Sequence, residues 1–246
     1  MQAKRAHVMM LTSGKGGTGK SVVTALLGAA LTARGLRVLA VELGCGPRTL
    51  DYPTGVYGKT VYDLGDVFAG CCSVEKAVVE SPLYPGLSVI CAPCSGGVVR
   101  PNIFASAVQR MRADFDMILL DTASGLGVPF KAACAVADSA VIVTTPDCVA
   151  VRDGHVVADA LRTPGHIPAR LLLNRVPAYL NGVGVADLDE CIDLVGVQLI
   201  GVLPESIEVR AAAATGLPLD PGGLSAAAFS AVAARICGVQ IPLVIT

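Results

Sequence analysis

Short apolar runs of strand length alternate with segments of helical periodicity along most of this chain. Most of the runs are near-continuous Val, Ile and Leu, which is typical of strands buried on both faces of a parallel sheet. We predict strands over residues 7–12, 37–42, 87–91, 117–121, 140–145, 170–174 and 198–203. The alternation predicts an α/β fold, a doubly wound and mostly parallel sheet of about seven strands with helices on both faces.

The segments between these runs predict the helices. We place them at residues 20–34, 101–112, 149–162, 185–195 and 224–237. Between Gly44 and Pro85 the pattern is interrupted by Gly and Pro, and we expect two short helices there, over residues 61–68 and 73–80. Since no linker or repeat divides the sequence, we expect residues 1–246 to form a single domain.

The composition excludes several classes of protein. With 53% hydrophobic and 16% charged residues and a net charge of −1, the chain is neither disordered nor built chiefly to bind nucleic acid. No apolar stretch approaches the length of about 20 residues that a membrane span needs. The apolar run after the basic N-terminus is too short for a signal peptide. We therefore expect a cytoplasmic protein, whose nine irregularly spaced Cys are reduced thiols.

A glycine-rich loop joins the first predicted strand to the first predicted helix. Residues 14–21 read G-K-G-G-T-G-K-S, which fits the phosphate-loop pattern G-x-x-x-x-G-K-[ST] completely. Its N–H groups would converge on phosphate oxygens at the start of the helix, and Lys20 would reach the β- and γ-phosphates. The predicted cofactor-binding residues are Gly14, Lys15, Gly16, Gly17, Thr18, Gly19, Lys20, Ser21 and Val22.

A second motif supplies a carboxylate. Residues 115–121 form an apolar strand that ends in Asp121, and a loop of small residues follows. Mg²⁺ keeps most of its waters and takes few protein ligands. We therefore predict that the Ser21 hydroxyl binds Mg²⁺ directly and that Asp121 holds a water on it. The alternative is that Asp121 caps the next helix.

Lys15 is a second lysine within the phosphate loop, and a general phosphate loop does not need it. The K-G-G-x-G-K-[ST] pattern resembles the deviant Walker A ATPases, the MinD/ParA family of SIMIBI-type P-loop proteins. The resemblance implies ATP or ADP with Mg²⁺ as ligands and an ATP-dependent face-to-face homodimer. In it Lys15 would reach the partner's nucleotide and stabilise transition-state charge. The alternative is a solvated loop lysine.

Residues 41–51 resemble the I-D-x-D-x-G-L-R-N-L-D segment of the MinD branch. Glu42 replaces the first family aspartate and Gly44 the second, which in the family orients the attacking water. Glycine offers no proton acceptor, so we assign part of this catalytic work to Glu42, which reaches one methylene further. With Lys15, Lys20 and Asp121, Glu42 completes the predicted catalytic set. The alternative is a nucleotide-gated binding module with weak or no hydrolysis.

Downstream segments extend the resemblance. A V-R-D sequence places Arg152 and Asp153 where partner proteins dock on family members. Asn174, followed by Arg175, matches the strand end that reads adenine, and Pro204 with Glu205 matches the loop closing over the base. The resemblance implies an ATPase that places the division septum through a regulator like MinC or MinE. Basic residues are too dispersed to predict DNA binding.

Two features of the sequence differ from the pattern of the best-known MinD proteins. The best-known MinD proteins end in a Lys-rich amphipathic helix, whereas residues 238–246 contain a proline and no basic residue. We therefore expect no membrane contact by that route, and peripheral association only through a partner. Cys91 and Cys94 form a C-x-x-C pair, which supports a further hypothesis, an iron–sulfur carrier ATPase in which a dimer completes the ligand set.

Overall fold

A mostly parallel sheet organises the chain in this computed structural model, which describes residues 5–44, 47–93, 99–163, 167–179 and 184–243. Within these residues the sheet has eight strands in the order β3-β4-β2-β5-β1-β6-β7-β8. They are β1 His7–Thr12, β2 Val38–Glu42, β3 Val79–Glu80, β4 Leu87–Ile90, β5 Met117–Asp121, β6 Ser139–Thr144, β7 Ala169–Val176 and β8 Leu199–Pro204. Only the β3–β4 pair is antiparallel.

Helices cover both faces of the sheet, as the alternation predicts. They are α1 Lys20–Thr32, α2 Leu64–Ala69, α3 Pro101–Met111, α4 Val128–Cys134, α5 Cys148–Arg162, α6 Leu188–Val195, α7 Ile207–Thr215 and α8 Leu224–Ile236. Alternate residues of each strand face opposite sides, so Met10 and Leu11 of β1 enter two different cores. Phe104 of α3 belongs to the same core as Met10, and Phe229 of α8 belongs to the same core as Leu11. The doubly wound fold is confirmed.

The seven predicted strands are all present, each within two residues of its predicted ends. The prediction of a helix over residues 73–80 is wrong in its second half. A 3₁₀ turn at Val74–Ala77 leads into the eighth strand, β3, in which Val79 pairs with Val89. A strand of two residues shows no measurable alternation, so the pattern gave no sign of it. The helix predicted at 61–68 is α2, which begins at Leu64 after the N-cap Asp63.

Two short helices were not predicted at all. α4 contains seven residues and follows a glycine-rich loop, and α7 buries only Ala212. A helix with one small buried residue has no apolar stripe and therefore no periodicity to detect. The helix predicted at 185–195 begins later, at Leu188, because the Asp187 side chain accepts the Glu190 N–H and caps it.

The C-terminal residues that the structure describes after α8 are not helical. Arg235 of α8 fastens them to the sheet: its guanidinium donates to the carbonyls of Ile241 at 3.1 Å and Pro242 at 2.8 Å. A third bond reaches the Ile200 carbonyl of β8 at 3.1 Å. Within the described ranges, no helix has both the length and the apolar character that a bilayer span needs.

Candidate functional site

The phosphate loop lies at the carboxyl end of β1, where parallel sheets place their ligands. It forms one wall of an open recess of about 280 Å³. The lining residues are Ser13, Gly16, Gly17, Thr18, Gly19, Lys20, Ser21, Val22, Thr49, Ser124 and Arg175. The recess thus contains seven of the nine predicted loop residues, and the structure adds Ser13, Thr49 and Ser124. Ser13 directly precedes the loop, and the other two lie in segments expected near the nucleotide, but no sequence pattern identified any of the three.

Two glycines of the loop are required by close approach. Gly19 caps α1 in the left-handed region, with φ 86°, and a Cβ there would overlap the Asn174 amide nitrogen. Gly14 packs against the backbone of Asp153 in α5, where a Cβ would overlap the carbonyl group. The loop is therefore wedged between β7 and α5, two elements more than 130 residues away in sequence.

Lys20 and Asp121 form a buried ion pair at the base of the recess. Lys20 Nζ lies 3.2 Å from Asp121 Oδ1, and the Thr24 hydroxyl lies 3.5 Å from the same oxygen. Burial raises the pKa of Asp121, and the charge of Lys20 together with hydrogen bonds, one from the Ser21 hydroxyl, opposes that rise. Asp121 thus acts on the phosphate loop and not as a helix cap, since α4 begins seven residues later.

The donor set around Asp121 fits Mg²⁺. The Ser21 hydroxyl and the Asp121 carboxylate are hard oxygen donors that interact with each other beside the phosphate loop. Mg²⁺ is usually held by one or two such groups, with waters and substrate phosphates completing its octahedron. Across the described ranges no cluster of three or more His, Cys, Asp or Glu residues could hold a metal alone. A magnesium ion here would therefore depend on a bound phosphate.

Glu42 is buried beside Asp121 but its carboxylate is already engaged. Its Oε1 accepts both the N–H and the hydroxyl of Thr49, each at 2.6 Å, and its Oε2 accepts the Ala92 N–H at 3.1 Å. Burial raises the pKa of Glu42, and these bonds oppose the rise. Glu42 does not line the recess, and Thr49 stands between the two. At Gly44 a Cβ would meet no atom of the described residues within 4 Å.

Lys15 points away from its own recess. Its Nζ lies 3.1 Å from Asp147 Oδ1, the side chain is 41% exposed, and it is not among the described residues that line the recess. Asp147 also caps α5, accepting the Ala150 N–H at 3.0 Å and the Thr145 hydroxyl at 2.6 Å. Burial favours a higher pKa for Asp147, but these hydrogen bonds and Lys15 outweigh it and hold the pKa below its ordinary value.

The predicted partner-binding residues lie on α5. Arg152 is 73% exposed and its guanidinium Nη2 lies 3.2 Å from Asp153 Oδ1. Because Gly14 packs on the backbone of Asp153, this helix face is in direct contact with the phosphate loop.

A second recess adjoins the first. The predicted adenine-site residues Asn174, Arg175, Pro204 and Glu205 all line it, and they share it with Gly19, Val22, Val23, Ser206, Val209, Arg210 and Ala213. The last three belong to α7, the helix that sequence periodicity missed. Gly19, Val22 and Arg175 line both recesses, so the two recesses are adjacent.

The end of β7 is bonded to the phosphate loop. Asn174 Nδ2 donates to the Thr18 carbonyl at 2.7 Å, and Arg175 Nη1 donates to the Gly17 carbonyl at 3.0 Å. Arg175 has φ 54°, the left-handed region that non-glycine residues seldom adopt. The chain reaches this conformation where the β7–β8 pairing is irregular, between Leu173 and Val176. These contacts position Arg175 at the junction of the two recesses.

The cysteine hypothesis receives no support from Cys91. Its thiol is buried, 3.5 Å from the Thr60 hydroxyl, and burial raises its pKa to about 11. A metal ligand must be a thiolate, which this environment disfavours. Cys94 lies outside the described residues.

Comparison with known proteins agrees with this geometry. Residues 9–219 match the family model of the CobQ/CobB/MinD/ParA nucleotide binding domain. The septum site-determining protein MinD of Bacillus subtilis is 33% identical over 244 residues, covering 96% of this chain and 91% of the relative. MinD of Synechocystis sp. is 33% identical over 242 residues, covering 96% and 91%.

Solved structures are similar over the same length. The MinC:MinD cell division complex of Aquifex aeolicus superposes with a TM-score of 0.89 at 29% identity, covering 98% of this chain and 99% of that one. MinD of Pyrococcus horikoshii complexed with Mg-ADP gives 0.84 at 25% identity, covering 94% and 96%.

Proposed function

Because this chain belongs to the CobQ/CobB/MinD/ParA nucleotide-binding family and lies in its MinD branch, we propose that it is an ATPase that regulates placement of the division septum. In this proposal two chains bind ATP and Mg²⁺ and close face to face. The closed homodimer presents a surface to a regulator protein. Hydrolysis of ATP to ADP and phosphate reopens the dimer.

The position of Lys15 carries the proposal. Its ammonium group stands outside its own phosphate recess, and among the described residues its ion-pair partner is the half-exposed Asp147. A partly exposed pair of this kind contributes little to stability, so opening it to reach a partner's phosphates costs little. Lys20 already supplies the cation within the recess. This position supports a role for Lys15 in trans, which the family resemblance implies.

The remaining residues divide into three roles. Lys20 and the loop N–H groups would hold the phosphates, and Ser21 with Asp121 would hold Mg²⁺, which neutralises phosphate charge when bound. The second recess would bind the adenosine, and Asn174 and Arg175 are among the residues that line it. The Mg-ADP complex of the Pyrococcus horikoshii relative supports this choice of ligands.

The partner is proposed to be a regulator like MinC. The Aquifex aeolicus relative is solved as a MinC:MinD complex, and Arg152 on α5 offers an exposed cation close to the phosphate loop. We propose that the protein acts in the cytoplasm and reaches the membrane only peripherally, through such a partner.

Dimerisation tests the proposal directly. Light scattering should show a monomer with ADP. With ATP or a non-hydrolysable ATP analogue it should show a dimer. Lys15→Ala should stay monomeric while still binding ATP. Lys131→Ala, an exposed lysine on α4, is the matched control and should behave as the wild type. A monomer with every nucleotide, or a Lys15→Ala variant that dimerises normally, would contradict the proposal.

Gly44 supports a second candidate function, a nucleotide-gated binding module with weak or no hydrolysis. A Cβ at Gly44 meets none of the described residues, so Gly44→Asp is the substitution that restores the family carboxylate. Under this candidate the wild type binds ATP but releases almost no phosphate, and Gly44→Asp raises phosphate release. Gly44→Asn, which adds similar volume without charge, is the control. A wild type as active as Gly44→Asp excludes this candidate.

A further inference from the structure

We propose that Thr49 orients the attacking water in this chain, in place of the carboxylate that is absent at Gly44, and that Glu42 is the positioning residue that holds Thr49 there. This inference rests on the proposed ATPase function. It assigns catalytic contact to a residue that no motif identified and gives Glu42 an indirect role.

The hydrogen-bond direction at Thr49 carries the first step. The hydroxyl donates its one proton to Glu42 Oε1 at 2.6 Å, because a carboxylate oxygen can only accept. The hydroxyl oxygen keeps its lone pairs and can itself only accept further bonds. A water that attacks the γ-phosphate must be held by an acceptor so that its oxygen faces phosphorus. Thr49 is therefore an acceptor of the required kind.

The location of Thr49 carries the second step. It is exposed and lines the phosphate recess together with Gly16, Lys20 and Ser21. Outside residues 14–22, Ser13, Ser124 and Arg175 join it among the described lining residues. Ser13 is buried, and its hydroxyl donates to the Lys15 carbonyl at 3.0 Å. Arg175 is excluded as an acceptor because a guanidinium has only donors. Ser124 lies in a turn directly before Gly125, whereas the Thr49 hydroxyl is held by the buried Glu42 carboxylate.

The rigidity of Glu42 carries the third step. Its side chain is almost fully buried, and the Ala92 N–H at the end of β4 fixes its second oxygen. The Thr49 backbone N–H binds the same Oε1 as the hydroxyl, so both the backbone and the rotamer of Thr49 are held. An aspartate at this position would be one methylene shorter. The long carboxylate at 42 and the missing one at 44 are thus linked departures from the family pattern.

Phosphate release from Mg·ATP by full-length variants tests the role of Thr49. Thr49→Val keeps the shape and removes the acceptor, so kcat should fall about 10- to 100-fold while KM for ATP and ATP-dependent dimerisation stay unchanged. Thr49→Ser keeps the hydroxyl and should retain most of the wild-type kcat. Thr163→Val, which removes a hydroxyl bonded to the Asp159 carbonyl of α5, is the matched control and should leave kcat unchanged.

A double-mutant cycle tests the role of Glu42. Glu42→Asp shortens the side chain by one methylene and moves the carboxylate away from the Thr49 hydroxyl, so it should lower kcat when Thr49 is present. The circular dichroism spectrum and the affinity for ATP should stay unchanged. In the Thr49→Val background the same change should have no further effect on kcat, because Glu42 acts only through Thr49. If Glu42→Asp does not fold, the Val and Ser variants of Thr49 decide the matter alone. Additive losses would overturn the role of Glu42.

The outcomes separate this inference from the proposed function. Unchanged kcat in Thr49→Val, in a protein that hydrolyses ATP, overturns the inference and leaves the ATPase in place. An equal loss in Thr49→Ser and Thr49→Val also overturns it, since it would show that packing and not the hydroxyl matters. A wild type that dimerises with ATP but releases no phosphate overturns both the inference and the hydrolytic part of the proposal.

Discussion

Single residues acquire their roles here from the strands beside them. Glu42 and Asp121 are paired across the parallel strands β2 and β5, so two carboxylates lie next to each other in the core of the site. The charge of Asp121 is paired with Lys20. Both carboxylate oxygens of Glu42 instead accept hydrogen bonds, from the N–H and hydroxyl of Thr49 and from the Ala92 N–H. This difference in partners separates a metal-site carboxylate from a positioning one, although both end apolar strands in the sequence.

Arg175 offers a prediction at this scale. Arg175→Asn keeps a residue that tolerates the left-handed backbone but removes the guanidinium from the junction of the two recesses. We expect the free energy of unfolding to stay nearly unchanged and the affinity for ATP to fall about tenfold, the equivalent of one charge-assisted hydrogen bond. Calorimetric titration and thermal unfolding measure the two effects. Undiminished affinity would show that Arg175 only supports the backbone of the loop.

Gly19 offers a second prediction. Gly19→Ala adds a Cβ at positive φ that also overlaps the Asn174 amide, so nucleotide binding should be lost and the protein destabilised by about 2 kcal/mol. Gly17→Ala is the control, because Gly17 has a similar φ of 82° but open space around it. Chemical denaturation should show the smaller loss for the control. Equal losses would mean that the contact with Asn174 does not matter.

Whole elements were predictable in proportion to the apolar surface they bury. The strands of four to eight residues and the long helices bury continuous stripes, so their periodicity is visible in the sequence. β3, α4 and α7 are short or nearly unburied, and they form because neighbouring elements hold them. α7 matters most, since it supplies Val209, Arg210 and Ala213 to the second recess.

Arg112 joins three elements at the amino-terminal ends of the parallel strands, on the side of the sheet away from the site. This nearly buried side chain donates to the Ala6 carbonyl before β1 at 2.9 Å, to the Val136 carbonyl at 2.7 Å, and to both oxygens of Asp138 at 2.8 and 3.1 Å. Asp138 also accepts the Val8 N–H at 2.8 Å. The bidentate pair therefore fixes the amino-terminal ends of β1 and β6. The carboxyl ends of the same two strands lead into the phosphate loop and the Asp147 turn.

This cluster predicts a pH dependence of stability. Burial favours a higher pKa for Asp138, but Arg112 and the Val8 N–H outweigh it and lower the folded-state pKa below the unfolded value of about 3.9. The stabilisation is therefore full above that unfolded value and is lost as the pH falls through the folded one. Asp138→Asn should melt below the wild type at pH 7, and the difference should shrink below about pH 4. Asp114→Asn, an exposed neighbour, is the control, and a difference that is constant with pH would contradict this.

At the scale of the molecule, one sheet carries two cores and a single functional edge. The phosphate loop, Asp121, Thr49 and the Asp147 turn all lie at carboxyl ends of parallel strands. They come together because β1 is central, with β5 and β2 on one side and β6 and β7 on the other. That residues 1–246 form a single domain stays a prediction.

Ligand binding should stabilise the molecule as a unit. Mg·ADP at a hundredfold excess over its Kd adds about 2.7 kcal/mol to the free energy of unfolding, which raises Tm by about 5–10 °C for a chain of this size. Removal of Mg²⁺ with EDTA should reduce the shift, and Asp121→Asn should show the reduced shift with or without the metal. Differential scanning fluorimetry measures this. Equal shifts in the wild type with and without Mg²⁺ would argue against a metal at Ser21 and Asp121.

The sequence by itself determined the α/β class, the phosphate loop, Asp121 and the family, because each is encoded in consecutive residues whose spacing is the signal. The tertiary structure alone decided that Thr49 faces the recess, that Glu42 is engaged by Thr49 and Ala92, and that Arg112 clasps Asp138. These contacts join residues that meet only through the order and register of the strands. Apolar alternation indicates that strands exist, but it does not say which of them are neighbours.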